Sequence, residues 1–178
     1  MSLLSFPLPR LNSLLVQLPL PDGPGRLLDV GCGDCPAALT LRHALPGWTI
    51  YGLDLDPGEL RRAHLRAADL RLICADASHL PGLLRQRFGL ILVRHPDLSL
   101  RRRAWSRIIP RLPLSLAPGG VLLITLYTAP EADLLRGLPL PPPYPLDESA
   151  LAPVDLGGRD RFAAAYRAAA INPPPEHS

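Results

Sequence analysis

A glycine-rich segment at the end of the short apolar run Arg26–Val30 carries two carboxylates and two thiols. It reads Asp29-Val30-Gly31-Cys32-Gly33-Asp34-Cys35-Pro36. Its glycines let backbone N–H groups approach a ligand closely. A carboxylate before the first glycine suits a ligand with a cationic amine, because opposite charges attract strongly in a partly desolvated site. A dinucleotide fingerprint is disfavoured, since it would place a third glycine at position 36, where this chain has proline.

The same turn allows a second interpretation, a redox site. Cys32 and Cys35 form a C-x-x-C motif at a helix start after a strand, where a thiolate would be stabilised. This alternative predicts a cofactor-binding or redox module without transfer activity. No metal site is predicted, because no second pair of zinc ligands follows at a suitable spacing.

The elements that must position this turn alternate between strand and helix patterns. Strands are predicted at 26–30, 48–53, 71–75, 88–93 and 121–126, with helical patterns at 57–67, 99–109 and 129–138. This alternation predicts an α/β fold with a parallel sheet and crossover helices. Pro36 is expected at the first position of the second helix, and Pro110 is expected to end or kink the helix before it.

The pattern weakens after residue 138, where Pro139–Pro145 predicts a stiff loop. Two further strands, Val154–Leu156 and Arg161–Arg167, are predicted on either side of a Gly-Gly hairpin turn. A helix over Phe162–Ala170 is the alternative, because alanine favours helix. The strand is preferred, since Phe162, Ala164 and Tyr166 would then share one face. The predicted sheet is therefore seven-stranded and mostly parallel, with an antiparallel strand in the C-terminal hairpin.

Length and composition bound the organisation of the chain. A length of 178 residues fits one domain, predicted as a lead-in segment 1–25 with a short helix at Leu11–Leu18, a main domain 26–170 and a tail 171–178. A 47% hydrophobic and 20% charged composition predicts a folded chain. All 19 basic residues are arginine. The net charge of +3 indicates only a mild preference for anionic partners.

The compartment is predicted from features that the sequence lacks. The first residues lack the charged region of a signal peptide, and no window reaches ~18 uninterrupted apolar residues. Three cysteines, two of them in one turn, disfavour a secreted disulfide framework. We therefore expect a cytoplasmic protein with no membrane partner.

Four segments resemble, in order and spacing, the motifs of the class I S-adenosylmethionine-dependent methyltransferases. They are Leu27–Gly33, Tyr51–Asp56, Cys74–Ala77 and Leu116–Leu122, and they cover about residues 26 to 127. The resemblance implies a Rossmann-like fold, S-adenosyl-L-methionine as cofactor and methyl transfer as the activity.

The resemblance also implies a set of cofactor-binding residues. Asp54, at the end of the second strand, would hold both ribose hydroxyls, because a carboxylate accepts two hydrogen bonds at once. Asp76 would face the adenine amino group, and Ala77 would donate its backbone N–H. The full predicted set is Asp29, Gly31, Cys32, Gly33, Asp54, Leu55, Asp76, Ala77 and Arg94.

The chain departs from the family pattern at three places. Cys35 stands where a third glycine is usual, and Gly89 stands where an aspartate often precedes the fourth strand. The end of that strand reads Arg94-His95-Pro96-Asp97 and not the Asn-Pro-Pro-Tyr of amino-group methylating enzymes, so base N-methylation by that route is not predicted.

The acceptor side offers two candidate catalytic residues. His95 is the best candidate for a base, with a structural role beside Pro96 as the alternative, and Tyr127 ends the fifth strand. A small-molecule acceptor of unspecified identity is predicted, since no cap domain is visible from which the acceptor could be read. The alternative is RNA or protein bound by the cluster of arginines between Arg94 and Arg111, which would contact phosphates; a solvated helix surface also explains this cluster.

Overall fold

A six-stranded sheet forms the centre of the protein. A computed structural model describes residues 8–80 and 87–168. The strands are β1 (Arg26–Val30), β2 (Thr49–Asp54), β3 (Arg71–Cys74), β4 (Phe88–Arg94), β5 (Leu116–Leu126) and β6 (Phe162–Arg167). Their order is β3-β2-β1-β4-β5-β6, with all neighbouring pairs parallel except β5 and β6. The predicted α/β class and mostly parallel sheet are confirmed.

Helices cover both faces of this sheet. They are α1 (Pro9–Val16), α2 (Ala38–Ala44), α3 (Pro57–Arg66), α4 (Arg102–Ile108) and α5 (Ala129–Arg136). Successive side chains of a strand point to opposite faces. Leu90 and Leu92 therefore pack with α1, α2 and α3, whereas Ile91 and Val93 pack with α4 and α5. Burial on both faces explains why these strands are continuous apolar runs.

One predicted strand is wrong. Residues Val154–Leu156 lie in a loop and turn, so six strands and not seven occur in the described part of the chain. Asp155 organises the turn, because its main-chain oxygen accepts from Gly158 N and its side chain accepts from Arg159 N. Leu156 is fully exposed, so no apolar face exists here that a strand could bury.

The last strand is confirmed against its helical alternative. In β6, Phe162, Ala164 and Tyr166 pack on one face of the sheet, and Ala163 and Ala165 pack on the other. Antiparallel pairing with β5 and burial override the helix propensity of the alanines.

Of the two prolines predicted at helix ends, Pro110 lies where expected and Pro36 does not. Pro36 was expected to begin a helix, but α2 begins at Ala38. Pro36 lies instead in the preceding turn, where Ala38 N donates to Cys35 O at 3.1 Å. Pro110 acts as predicted: α4 ends at Ile108, and a 3₁₀-helix over Ile109–Ser115 follows.

Gly89 has a steric explanation. A Cβ at this position would lie 2.9 Å from Trp48 Cη2, and a Cβ at Gly25 would lie 2.8 Å from the same ring. The indole therefore packs between two strand ends at sites where only glycine leaves room.

The segment before β1 contains one helix. Helix α1 confirms the predicted lead-in helix, whereas the predicted tail 171–178 lies outside the described residues. No helix among residues 8–80 and 87–168 has the length and apolar character to cross a membrane.

Candidate cofactor and acceptor site

The glycine-rich turn between β1 and α2 is held against the end of β2. Gly31 N and Cys32 N donate to Leu53 O at 2.8 and 3.0 Å, and Gly33 N donates to Asp54 Oδ2 at 2.8 Å. Gly31 and Gly33 have φ angles of +69° and +54°, which glycine adopts without steric cost. The turn therefore requires the two glycines that the sequence analysis singled out.

Cys35 occupies the place of the third glycine and adopts a left-handed backbone conformation, with a φ of +51°. Its thiol and that of Cys32 are buried against β2, at a point where Gly52 has no side chain. The hydrogen bond with Cys35, together with burial, raises the pKa of Cys32. Because redox activity needs an accessible thiolate, the C-x-x-C alternative loses its chemical basis.

Asp54 lies at the rim of a cleft at the carboxyl ends of β1, β2 and β3. One carboxylate oxygen accepts from Gly33 N, and the other accepts from Asp56 N at 2.9 Å. The side chain is half-buried, and a carboxylate has about four lone-pair positions. Asp54 therefore retains acceptor capacity for a ligand after both protein contacts are made.

Asp76 lines the same cleft one strand further along the sheet. Its Oδ1 accepts from Ser78 N at 2.8 Å, and these hydrogen bonds from Ser78 lower the pKa of the carboxyl group. Asp76 is exposed, and the adjacent Ala77 and Leu55 also border the cleft. The structure thus brings together five predicted residues at one cleft: Gly31, Asp54, Leu55, Asp76 and Ala77.

The opposite wall of the cleft comes from α4 and was not predicted. The cleft has a volume of about 240 Å³, and its unpredicted lining residues include Arg101, Ala104, Trp105 and Ile108. A Cβ at Gly31 would lie 3.4 Å from the Trp105 ring, so the indole closes directly over the turn. The signal was present in the sequence, because these four residues follow the i, i+3, i+4, i+7 spacing of one helix face.

Asp29 lies behind the turn and not on the cleft surface. It is 3% exposed, and burial raises its pKa to about 6, although the charge of Arg94 partly offsets this effect. Cys32 and Gly33 likewise are not among the residues that border the cleft.

Arg94 and His95 converge on Asp160, a residue that the sequence analysis missed. Arg94 Nε and Nη2 donate to the two Asp160 oxygens at 3.3 and 3.2 Å. His95 Nε2 lies 3.0 Å from Asp160 N and 3.1 Å from Oδ1. Burial opposes ionisation of Asp160, but the contact with His95 and the charge of Arg94 outweigh burial and hold its pKa below the usual range. No sequence pattern marks Asp160, since it lies 66 residues from Arg94.

His95 and Tyr127, the two candidate catalytic residues, lie in contact with each other. Their rings stack with centroids 3.9 Å apart, at the carboxyl ends of β4 and β5. Tyr127 is 41% exposed, whereas the His95 side chain is 12% exposed. Val93 pairs with Val30 of β1, so this pair lies across β1 from Asp54 and Asp76.

The arginine cluster divides into two parts. Arg94 points inward to Asp160, whereas Arg101, Arg102, Arg103, Arg107 and Arg111 are exposed. Only Arg101 borders the cleft.

The cleft residues fit the S-adenosyl-L-methionine that the resemblance implies. Asp54 keeps unused lone pairs toward the cleft, and Asp76 is an exposed acceptor near it. The apolar surfaces of Leu55 and Trp105 line the same cleft and suit a flat ring.

The sheet order and the cleft at its carboxyl edge define a doubly wound α/β domain that binds ligands where the strand order reverses. The family described as "Methyltransferase domain" matches residues 27–120. The chain belongs to this methyltransferase family.

Individual proteins agree with this assignment. The chain is 32% identical to a trans-aconitate 2-methyltransferase from Methylobacterium nodulans over 74% of its own length and 50% of that protein. An amino pentose methyltransferase from Micromonospora echinaspora, solved with S-adenosylmethionine bound, is 28% identical with a TM-score of 0.51 over 60% of this chain and 44% of that one.

A further solved structure supports the fold alone. A TehB-like S-adenosylmethionine-dependent methyltransferase from Corynebacterium glutamicum has a TM-score of 0.60 and 21% identity, over 87% of this chain and 85% of that one. The chain spans about half the length of the curated relatives that it matches.

Proposed function

We propose that this chain binds S-adenosyl-L-methionine in the carboxyl-edge cleft and transfers its methyl group to a small-molecule acceptor. The observation that carries the proposal is the pair Asp54 and Asp76, which line one cleft from the ends of neighbouring strands. Family membership supports the same cofactor.

Each cleft residue has a proposed part in holding the cofactor. Asp54 accepts the ribose hydroxyls, Asp76 accepts from the adenine amino group, and Ala77 donates its backbone N–H. Leu55 and Trp105 enclose the base between apolar surfaces. The turn Gly31–Gly33 lies beside the amino-acid portion, with the charges of Asp29 and Arg94 behind it.

When bound, S-adenosyl-L-methionine supplies an electrophilic methyl group on a sulfonium centre. The protein's contribution is to hold the acceptor in line and to exclude water. The stacked rings of His95 and Tyr127 form the surface on which the acceptor rests, next to the end of β1.

A small acceptor is favoured over RNA by the arrangement of the arginines. Because Arg94 is paired with Asp160, the basic cluster loses the member nearest the acceptor surface. The relatives named above act on trans-aconitate and on an amino pentose, according to their names. An RNA acceptor would instead require binding that weakens steeply between low and moderate salt, and absence of RNA binding at low salt would exclude it.

Thermal unfolding with S-adenosylhomocysteine tests the proposal. Ligand at 100 times its Kd adds about 2.7 kcal/mol, which raises Tm by roughly 5 to 10 °C for a domain of this size. Asp54→Ala is expected to remove most of the increase. Asp22→Ala, a matched change in the exposed turn before β1, should retain it. No increase in the unsubstituted protein at millimolar ligand would refute the proposed function.

A further inference from the structure

A second pocket lies at the amino edge of the sheet, at the opposite ends of the strands from the cofactor cleft. It has a volume of about 430 Å³, and it is bordered by Arg26 of β1, Trp48 before β2 and Arg87 before β4. A volume of this order is typical of small-molecule sites. The proposed reaction does not use this pocket, so its residue types need a separate explanation.

Hydrogen bonds of the sheet fix the backbones that carry these side chains. Arg26 is the first residue of β1 and pairs with Thr49 of β2, the neighbour of Trp48. Arg87 N donates to Ser115 O at 3.0 Å. Two guanidinium groups and one indole are therefore brought to the same edge of the sheet on a rigid support.

The indole of Trp48 has its place in this pocket because Gly25 and Gly89 leave room for it. A Cβ at Gly89 would lie 2.9 Å from Trp48 Cη2. An aspartate at this position, which is frequent in the family pattern, would therefore clash with the ring. Glycine at position 89 thus admits a flat aromatic surface and also leaves the pocket without the charge of that acid.

The positive charge of the pocket is not compensated by nearby acids. Among the described residues that border it, Arg26 and Arg87 are cationic and none is acidic. Both arginines are exposed, and neither forms an ion pair with any residue in the ranges 8–80 and 87–168. A phosphate monoester carries a charge of about −1.5 to −2 at pH 7. This charge matches two guanidinium groups, whereas a carboxylate would balance only one.

We infer that the pocket bordered by Arg26, Trp48 and Arg87 binds a small phosphate monoester that carries a planar ring. The ring stacks on the indole, and the guanidinium groups donate to the phosphate oxygens, which arginine binds in bidentate fashion. The combination explains why cations and an aromatic surface occur together at this edge of the sheet.

This ligand is distinct from the methyl acceptor. Arg26 and Val30 are the first and last residues of β1, and a rise of ~3.3 Å per residue places them about 13 Å apart. Reacting atoms must approach to about 3.5 Å. The inference therefore concerns an additional ligand and does not depend on the proposed function.

Fluorescence of Trp48 tests binding in this pocket. The chain contains two tryptophans, so Trp105→Phe leaves Trp48 as the only indole. Uridine 5′-monophosphate and phenyl phosphate are titrated while S-adenosylhomocysteine occupies the cofactor cleft, and calorimetry measures the same binding. We expect the emission to change with a submillimolar Kd. Neither heat nor a change in emission at millimolar ligand would overturn the inference. Because Trp48 lies at the other edge of the sheet, its signal reports this pocket even if S-adenosylhomocysteine does not bind.

Three further ligands separate the contributions of the phosphate and the ring. Uridine lacks the phosphate, inorganic phosphate lacks the ring, and benzoate carries a carboxylate in place of the phosphate. Each is expected to bind about tenfold or more weakly than the matching phosphate ester. Uridine or benzoate binding as tightly as its phosphate ester would show that the phosphate is not recognised, and inorganic phosphate binding as tightly would show that the ring is not.

Substitutions of the two arginines test the site directly. Arg26→Gln and Arg87→Gln change exposed side chains, so they should leave Tm nearly unchanged. Each should weaken the binding of uridine 5′-monophosphate about tenfold or more. Arg71→Gln is the matched control, because Arg71 is exposed at the start of β3 and does not border the pocket. Equal affinity in all three variants would contradict the assignment.

Discussion

Gly52 and Cys35 are sterically complementary across the cofactor turn. A Cβ at Gly52 would lie 3.0 Å from Cys35 Sγ and 2.9 Å from Cys32 Sγ. The cysteine that replaces the usual third glycine of the turn is therefore accommodated by a glycine on the neighbouring strand. The departure from the family pattern therefore has a local compensation, and Cys35 itself has a left-handed backbone.

This complementarity predicts that Gly52→Ala destabilises the protein. The added methyl group would overpack a buried site and lower the free energy of unfolding by about 1–3 kcal/mol, as measured by urea denaturation. Gly137→Ala is the control, because its Cβ would meet nothing closer than 3.5 Å at an ordinary φ of −77°. Adding Cys35→Ala should recover part of the loss, and a fully additive double variant would contradict the steric account.

Asp29 predicts an unusual dependence of stability on pH. Its pKa rises from 3.8 to about 6 on folding, so the folded state binds more protons and the free energy of unfolding falls as pH rises through this range. The full penalty above pH 6 corresponds to roughly 3 kcal/mol. Asp29→Asn should therefore stabilise the protein at pH 7 and flatten the profile between pH 4 and 6.

The same substitution should weaken cofactor binding if Asp29 attracts the cationic amine. Urea denaturation across this pH range measures the stability, and the thermal shift with S-adenosylhomocysteine measures the binding. Asp22→Asn, in an exposed turn, is the matched control. A profile of Asp29→Asn that parallels the unsubstituted protein would show that this carboxyl does not titrate there.

The ion pair of Arg94 and Asp160 predicts strong energetic coupling. Their side chains are 9% and 2% exposed, and Asp160→Asn would remove the carboxylate that the buried guanidinium contacts, leaving only the charge of Asp29 near it. We expect a loss of about 3 kcal/mol in the free energy of unfolding. Asparagine has a similar size and tolerates the φ of +54°, so backbone strain contributes little.

A double-mutant cycle isolates this pair. Arg94→Met removes the charge but keeps much of the apolar stem, and the double variant should be more stable than the sum of the two single losses predicts. A coupling free energy below about 0.5 kcal/mol would argue against a direct pair.

Trp105 predicts a fluorescence signal for cofactor binding. It borders the cleft, whereas the other tryptophan, Trp48, packs against Gly25 and Gly89 on the amino side of the sheet. In Trp48→Phe, emission should change on titration with S-adenosylhomocysteine, because a ligand would contact the remaining indole. In Trp105→Phe it should stay constant. A signal carried by Trp48 instead would place the ligand at the other edge of the sheet.

Local patterns in the sequence were sufficient for the α/β class, for five parallel strands and for the acids at the ends of β2 and β3. These features depend on burial and on turn geometry within a few residues. Apolar runs in the sequence indicate the burial, and glycines indicate the turns. The prediction of a strand at Val154–Leu156 was wrong. The Gly157-Gly158 pair indicates a turn, but it does not indicate whether the residues before it have an apolar face to bury.

The tertiary structure alone decided how the site is closed and which residues contact His95. Trp105 of α4 packs against Gly31 of the turn, and Asp160 reaches Arg94 and His95 from a loop that is distant in sequence and bound by Arg10. Contacts between residues so far apart in the chain depend on the packing of whole elements, which no local period or motif encodes. The residue types predicted to bind a cofactor could thus be identified from the linear chain, whereas the pairing of Asp160 with Arg94 and His95 depends on the three-dimensional fold.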